Sequence, residues 1–336
     1  MKKQKLEYDK KKSDGTLSDK EYTFAEWAVI WFEHHKNTIS ATTQEGYKYT
    51  LRILHDYFGH RKLADIKVHD IEEFLLHMKK NEASDSQITK LRGMLCQIFN
   101  KAVANDLVVK NPAAHLDKMK RAPKKPRESF TRDEVDKMMK ELPDNKIGWS
   151  IRLLLFTGMR PGEILGLEPR HIAKDGSWIN IEQATVKVKG TTEIGPPKTV
   201  DSYRTVPVPE LVRYCARNLR NTDKKFIWDS PKKPGHPCNE SYFRTLFKEA
   251  LAGIEGVRVL TPYNCRHTCI SHLVALGVDP ITITSIVGHA DTDMINEVYA
   301  HPLEHARQDA IKRFDDAFSN RQGDTQARVL QFVKSS

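Results

Sequence analysis

Four short segments hold cations that could grip an anion, together with an imidazole and a phenol. In Thr157-Gly158-Met159-Arg160-Pro161-Gly162-Glu163, a glycine and a proline break and restart helices around Arg160, with Glu163 close enough to orient it. Taken alone, this segment suits a buried Arg–Glu pair bracing a turn better than a ligand site. Pro196-Pro197-Lys198-Thr199 puts Lys198 at or near a turn between two strands, where a long side chain can reach a ligand or simply be solvated. In Thr261-Pro262-Tyr263-Asn264-Cys265-Arg266, Thr261 as N-cap and Pro262 at the first helical position start a helix. Arg266 then lies in its first turns, where backbone N–H groups also favour an anion. The fourth segment, Val287-Gly288-His289-Ala290, is followed ten residues after the histidine by Tyr299. Taken singly, a Gly-His turn suits capping or packing, and a tyrosine on an amphipathic helix suits a core.

The elements that must position these residues follow from apolar spacing. Phe24, Trp27, Ala28, Trp31 and Phe32 repeat at helical intervals, as do Ile71, Phe74, Leu75 and Met78, and Ile88, Leu91, Leu95 and Ile98. With an amphipathic stretch from Thr42 to Phe58 stopped by Gly59, they predict a bundle of about four helices ending at Asn111-Pro112. Thr131-Arg132-Asp133-Glu134 is a capping box that opens a new helix, and Ile147 to Phe156 reads as the central helix of a second core. Period-two alternation in residues 178–181, 185–189 and 204–208 predicts a three-stranded antiparallel sheet set in a helical domain, mainly α with a small β component. The expected division is a flexible segment over 1–20, a helical domain over 21–117, a basic linker over 118–128, a second, mainly helical domain over 129–318 and a tail over 319–336. The tail has one short apolar patch, Val329-Leu330-Gln331-Phe332-Val333.

A chain of 336 residues suits two domains, and 39% hydrophobic content is enough to build packed cores. No apolar run approaches the roughly 20 residues needed to cross a bilayer, and no apolar region follows the basic N-terminus, so no membrane partner and no secretory signal are expected. The expected location is the bacterial cytosol or nucleoid. Five scattered cysteines argue for a reducing compartment over a disulfide framework. The net charge of +10 suggests a polyanionic partner. Its densest stretch carries Lys118, Lys120, Arg121, Lys124, Lys125 and Arg127 without an acid, which suits a solvated linker and equally a clamp on a phosphate backbone. Cys265, His267, Cys269 and His272 cluster on one helix, but no CxxC knuckle or second ligand pair accompanies them, so no metal is expected.

The order and spacing of Arg160, Lys198, Arg266, His289 and Tyr299 resemble the tyrosine recombinase, or phage integrase, family. The matching strings are TGMRPGEILGL, PPKTVDSYRTVPV, TPYNCRHT and VGHADTDMINEVYAH, and the likeness runs from about residue 22 to 318. It implies a helical, SAM-like core-binding domain ahead of a recombinase catalytic fold. It also implies phosphoryl transfer needing neither metal nor ATP nor any cofactor. Two guanidiniums, Arg160 and Arg266, would fork onto the non-bridging oxygens of the phosphodiester and stabilise the pentacoordinate transition state. Tyr299 would attack to leave a 3′-phosphotyrosyl link, Lys198 would protonate the 5′-oxygen, and His289 would hydrogen-bond the phosphate.

One position departs from the family pattern. Where a histidine or lysine usually precedes the second arginine by three residues, this chain has Tyr263, which can donate a hydrogen bond to phosphate without carrying charge. The adjacent His267 is not expected to substitute, as pointing about 100° further around the helix. By resemblance the partners are double-stranded DNA attachment sites, synapsed by a homo-tetramer, with an accessory bending or directionality factor. An integrase of a prophage or conjugative element fits better than a chromosome-dimer resolvase. A non-catalytic DNA-binding factor and a topoisomerase-like relaxing enzyme are the alternatives from other classes.

Overall fold

The computed structural model describes residues 20–116, 128–188, 190–196 and 203–288, and they fall into two compact units. The first contains helices α1 (Phe24–His35), α2 (Ala41–Phe58), α3 (Val68–Lys80) and α4 (Asp85–Val103). Each start is set by a polar side chain. Thr23 and Glu26 form a reciprocal capping box on α1, Ser40 and Ser84 cap α2 and α4, and Asp70 accepts from the Lys67 amide (2.7 Å) at the head of α3. The apolar faces predicted from spacing meet in one core, where Phe24, Phe58, Phe74 and Phe99 are buried together. Asn111 closes the bundle by donating to the carbonyl of Cys96 (3.0 Å) and the side chain of Asn100 (2.7 Å).

The second unit contains α5 (Arg132–Glu141), α6 (Lys146–Thr157), α7 (Pro161–Leu165), α8 (Arg213–Arg220), α9 (Glu240–Ala252), α10 (Pro262–Ala275) and α11 (Pro280–Val287). Strands β1 (Trp178–Ile181), β2 (Ala184–Val188), β3 (Thr191–Gly195) and β4 (Arg204–Pro207) lie between α7 and α8. The capping box of Thr131 and Glu134 opens α5 as expected. Helix α6 is central: Ile151, Leu153, Leu154 and Leu155 are buried, with α10 and α8 packed against it.

The expected three-stranded sheet does not form among the described residues. Instead β1 pairs antiparallel with β4, matching Ile179 to Val206 and Ile181 to Arg204, while β2 and β3 make a separate hairpin. The break between β1 and β2 has a local cause. The Gln183 side chain donates to the Gly166 carbonyl (2.7 Å), and a Cβ on Gly166 would stand 3.1 Å from the Ala184 Cα. The end of α7 thus packs against residues 183–184, where β1 gives way to β2. Alternation identifies strands but does not choose their partners.

Among the described residues no helix is long and apolar enough to cross a membrane, and no group of three or more His, Cys, Asp or Glu side chains is placed to hold a metal ion. All five cysteines are free thiols. Burial pushes the Cys269 thiol up to about 12 and Cys265 higher still.

Candidate active site

The site is built around the turn from α6 to α7. Helix α6 ends at Gly158, which is left-handed (φ 63°) and donates its N–H to the Leu154 carbonyl (3.2 Å). A Cβ there would lie 2.9 Å from Val287 Cγ1 and 3.3 Å from Cys269 Sγ, so this glycine also allows α10 and α11 to close on the turn. Two residues later Arg160 is the extended N-cap of α7, followed by Pro161 at the first helical position. Glu163 reaches back to accept from the Arg160 amide (2.8 Å) and from its Nη1 (2.9 Å). The predicted orienting contact is present, and it is buried, with the two side chains 12% and 2% exposed.

Arg266 arrives from α10. It is fully buried, and its Nη1 donates to the Gly158 carbonyl, so the two arginines separated by 106 positions in the sequence meet at one turn. Thr261 caps α10 and Pro262 opens it, as the sequence predicts; Asn264 Oδ1 accepts from the Thr261 amide (2.9 Å) and hydroxyl (2.6 Å). Residues on either side of Arg266 hold the segment 128–130. Asn264 Nδ2 donates to the Glu128 carbonyl (2.7 Å), and the Phe130 amide donates to the Thr268 hydroxyl (2.8 Å).

Tyr263 sits in the first turn of α10 and is 44% exposed. Here the expectation for His267 needs correcting. Its ring lies 6.4 Å from that of Tyr263, because four residues at 3.6 per turn return to nearly the same face. The 100° offset holds relative to Arg266, not relative to the position in question. Lys198, His289, Tyr299 and the six linker cations Lys118, Lys120, Arg121, Lys124, Lys125 and Arg127 lie outside the described residues.

The structure adds one residue that the sequence reading did not single out. Arg204, in β4, forks onto the same carboxylate, Nη1 to Glu163 Oε1 at 3.0 Å and Nη2 to Oε2 at 2.9 Å, and its Nε donates to the Ile286 carbonyl (2.8 Å). Burial alone would raise the Glu163 carboxyl, but Arg204 and then Arg160 hold it below the usual carboxylate range. A Cβ on Gly288 would lie 3.5 Å from Arg204 Nη1 and 3.7 Å from Arg160 Nη1, so both guanidiniums face the residue before His289. A sequence signal existed. Arg204 shares the inward face of its strand with Val206 and Val208, and a buried guanidinium demands a buried acid.

Residues 128–305, more than half of the chain, match the phage integrase family, and residues 23–79 match the SAM-like N-terminal domain of phage integrases. The chain belongs to the phage integrase family. A tyrosine recombinase of Thermosipho africanus is 24% identical over 300 residues, covering 86% of this chain and 97% of that protein. In fold, the chain is similar to the Tn1549 transposon integrase in complex with a circular intermediate DNA, with TM-score 0.76 and 21% identity over 87% of this chain and 99% of that one. It is also similar to a lambda integrase tetramer bound to a Holliday junction, with TM-score 0.58 and 17% identity over 80% of this chain and 77% of that one.

Proposed function

We propose that this chain is the integrase of a mobile element, cleaving and rejoining double-stranded DNA at attachment sites with Tyr299 as nucleophile. As a member of the phage integrase family it is a tyrosine-type site-specific recombinase; the assignment of roles to residues is our reading. The Tyr299 oxygen attacks the scissile phosphorus and passes its proton to His289, which also hydrogen-bonds the phosphate. The bond to the 5′-oxygen breaks, Lys198 protonates that oxygen, and a 3′-phosphotyrosyl link remains. Arg160 and Arg266 hold the non-bridging oxygens, and Tyr263 adds a neutral donor. The link conserves the energy of the broken bond, so rejoining by a 5′-hydroxyl from another strand needs no ATP.

The observation that carries this reading is the meeting of Arg160 and Arg266 at the Gly158 turn, with the Arg160 guanidinium turned toward the residue before His289. In this reading residues 21–117 bind the core of the site, 118–128 are the basic linker along the backbone, and 129–318 carry the chemistry. The working unit is a tetramer synapsing two DNA sites, in line with the tetrameric lambda integrase on a Holliday junction. An accessory bending or directionality factor and action in the bacterial cytosol or nucleoid complete the proposal.

The test is covalent trapping. Wild type and Tyr299→Phe are incubated in EDTA with nicked duplexes drawn from DNA flanking the gene, then resolved on a denaturing gel. An adduct with wild type alone supports the reading. DNA binding without any adduct would favour a binding factor, and an adduct surviving Tyr299→Phe would move the nucleophile elsewhere.

A further inference from the structure

We infer that Arg204 is a positioning residue for strand cleavage, holding Glu163 so that the Arg160 guanidinium stays aimed at the scissile phosphate with its charge available. The inference rests on the recombinase reading above and concerns a residue outside the five-residue set.

Glu163 is 1% exposed and its two oxygens accept four bonds: the Arg160 amide, Arg160 Nη1, Arg204 Nη1 and Arg204 Nη2. A carboxylate offers about four lone-pair directions, so these donors fill it. Arg204 takes one donor site on each oxygen, which fixes the plane of the carboxylate and hence the direction in which Arg160 can point. Charge follows the same logic. A lone carboxylate 2.9 Å from Arg160 would cancel most of the cation that a phosphate must feel, whereas two guanidiniums and one carboxylate sum to +1. Lysine could supply that charge but not the planar fork.

Arg204 also ties the trio to the rest of the site. It lies six residues after Lys198 in sequence, and its Nε bonds to the carbonyl of Ile286, three residues before His289. A merely bracing arginine would need neither the shared carboxylate nor the close approach of its Nη1 to Gly288. One side chain therefore joins β4, the start of α7 and the end of α11.

The experiment compares wild type, Arg204→Met, Arg204→Lys and the double variant Arg204→Met/Glu163→Gln, in single-turnover adduct formation on a nicked duplex. DNA affinity and circular dichroism are measured alongside. Loss of an electrostatic aid in a dry site typically costs about 10²-fold, so Arg204→Met should form adduct about 30- to 100-fold more slowly, with DNA affinity within about threefold of wild type. Arg204→Lys should recover only part of the rate. The double variant should recover about tenfold over Arg204→Met, because the carboxylate that would neutralise Arg160 is gone. A purely structural role would not give that rescue. The inference is overturned if folded Arg204→Met cleaves at the wild-type rate, or if the folded double variant is no faster than the single. Should Arg204→Met fail to fold, Arg204→Lys decides: slowed tenfold while folded it supports the inference, and at wild-type rate it overturns it. Absence of adduct with wild type itself would instead count against the recombinase reading.

Discussion

Two helix starts in the second unit use the same device for different ends. In α5 and in α7 a glutamate in the first turn accepts the amide of its own N-cap, Thr131 or Arg160, and is then caught by a distant arginine. Glu134 takes three bonds from Arg258, at its amide (3.0 Å), Nε (2.8 Å) and Nη2 (2.7 Å). Arg258 is 46% exposed, and the pair is electrically balanced. Its Nη2 also holds the Ser129 carbonyl (2.6 Å), so the pair staples the segment leading into α5. Glu163 sits deeper and is shared by two guanidiniums, Arg204 and Arg160, the latter itself the N-cap. One further arginine and deeper burial turn a staple into a fixed cation. A neutral staple stabilises; a trio with surplus charge suits an anionic transition state.

That contrast can be broken by experiment. Arg160→Ala should slow adduct formation by about 10²- to 10³-fold, while stability falls by less than about 1 kcal/mol because Glu163 keeps Arg204. Arg258→Ala should do the reverse, leaving cleavage within a few-fold and lowering stability by roughly 1–2 kcal/mol in urea melts. Equal effects on cleavage from the two would erase the distinction. Removing the acids sharpens it: Glu163→Ala strands two buried guanidiniums and should cost roughly 3–5 kcal/mol, against about 2 kcal/mol for Glu134→Ala.

The staple should also show in pH dependence. Hydrogen bonds from Arg258 outweigh burial and hold the Glu134 carboxyl at about 2, below its ordinary 4.5. A depressed acid stabilises fully above its unfolded value, so this contribution, roughly 2 kcal/mol, is lost as pH falls from about 4.5 toward 2. Acid titration of unfolding should be correspondingly flatter in Arg258→Ala, and an unchanged slope would refute the assignment. The smallest effect is expected at Tyr263→Phe, which removes one neutral donor from an exposed ring and should slow cleavage by about tenfold or less. If it matched Tyr299→Phe, the choice of nucleophile would be wrong.

Much of this arrangement was legible in the chain because it is local. The Thr131 capping box, Pro161 and Pro262 at helix starts, and the Arg160–Glu163 contact all lie within four residues. Helical spacing likewise picked out Phe24, Phe74, Leu91 and Ile98, all buried. The His267 expectation failed on a local point, by counting the helical turn from Arg266 instead of Tyr263. Arg204 went unread although its alternation with Val206 and Val208 placed it inward, because a strand pattern gives the face and leaves the partner open.

The sequence by itself determined where helices start, which faces turn inward, and the order of the residues that carry the family likeness, since these depend on backbone capping and on periodicities of 3.6 and 2. Tertiary structure alone decided that β4 pairs with β1 and leaves β2 to a hairpin, that Arg204 closes on Glu163 across 41 positions, and that Arg266 reaches Gly158 across 108. These choices rest on what a buried charge or an unpaired strand edge finds once the chain has folded. Many partners are compatible with each pattern, and packing selects among them.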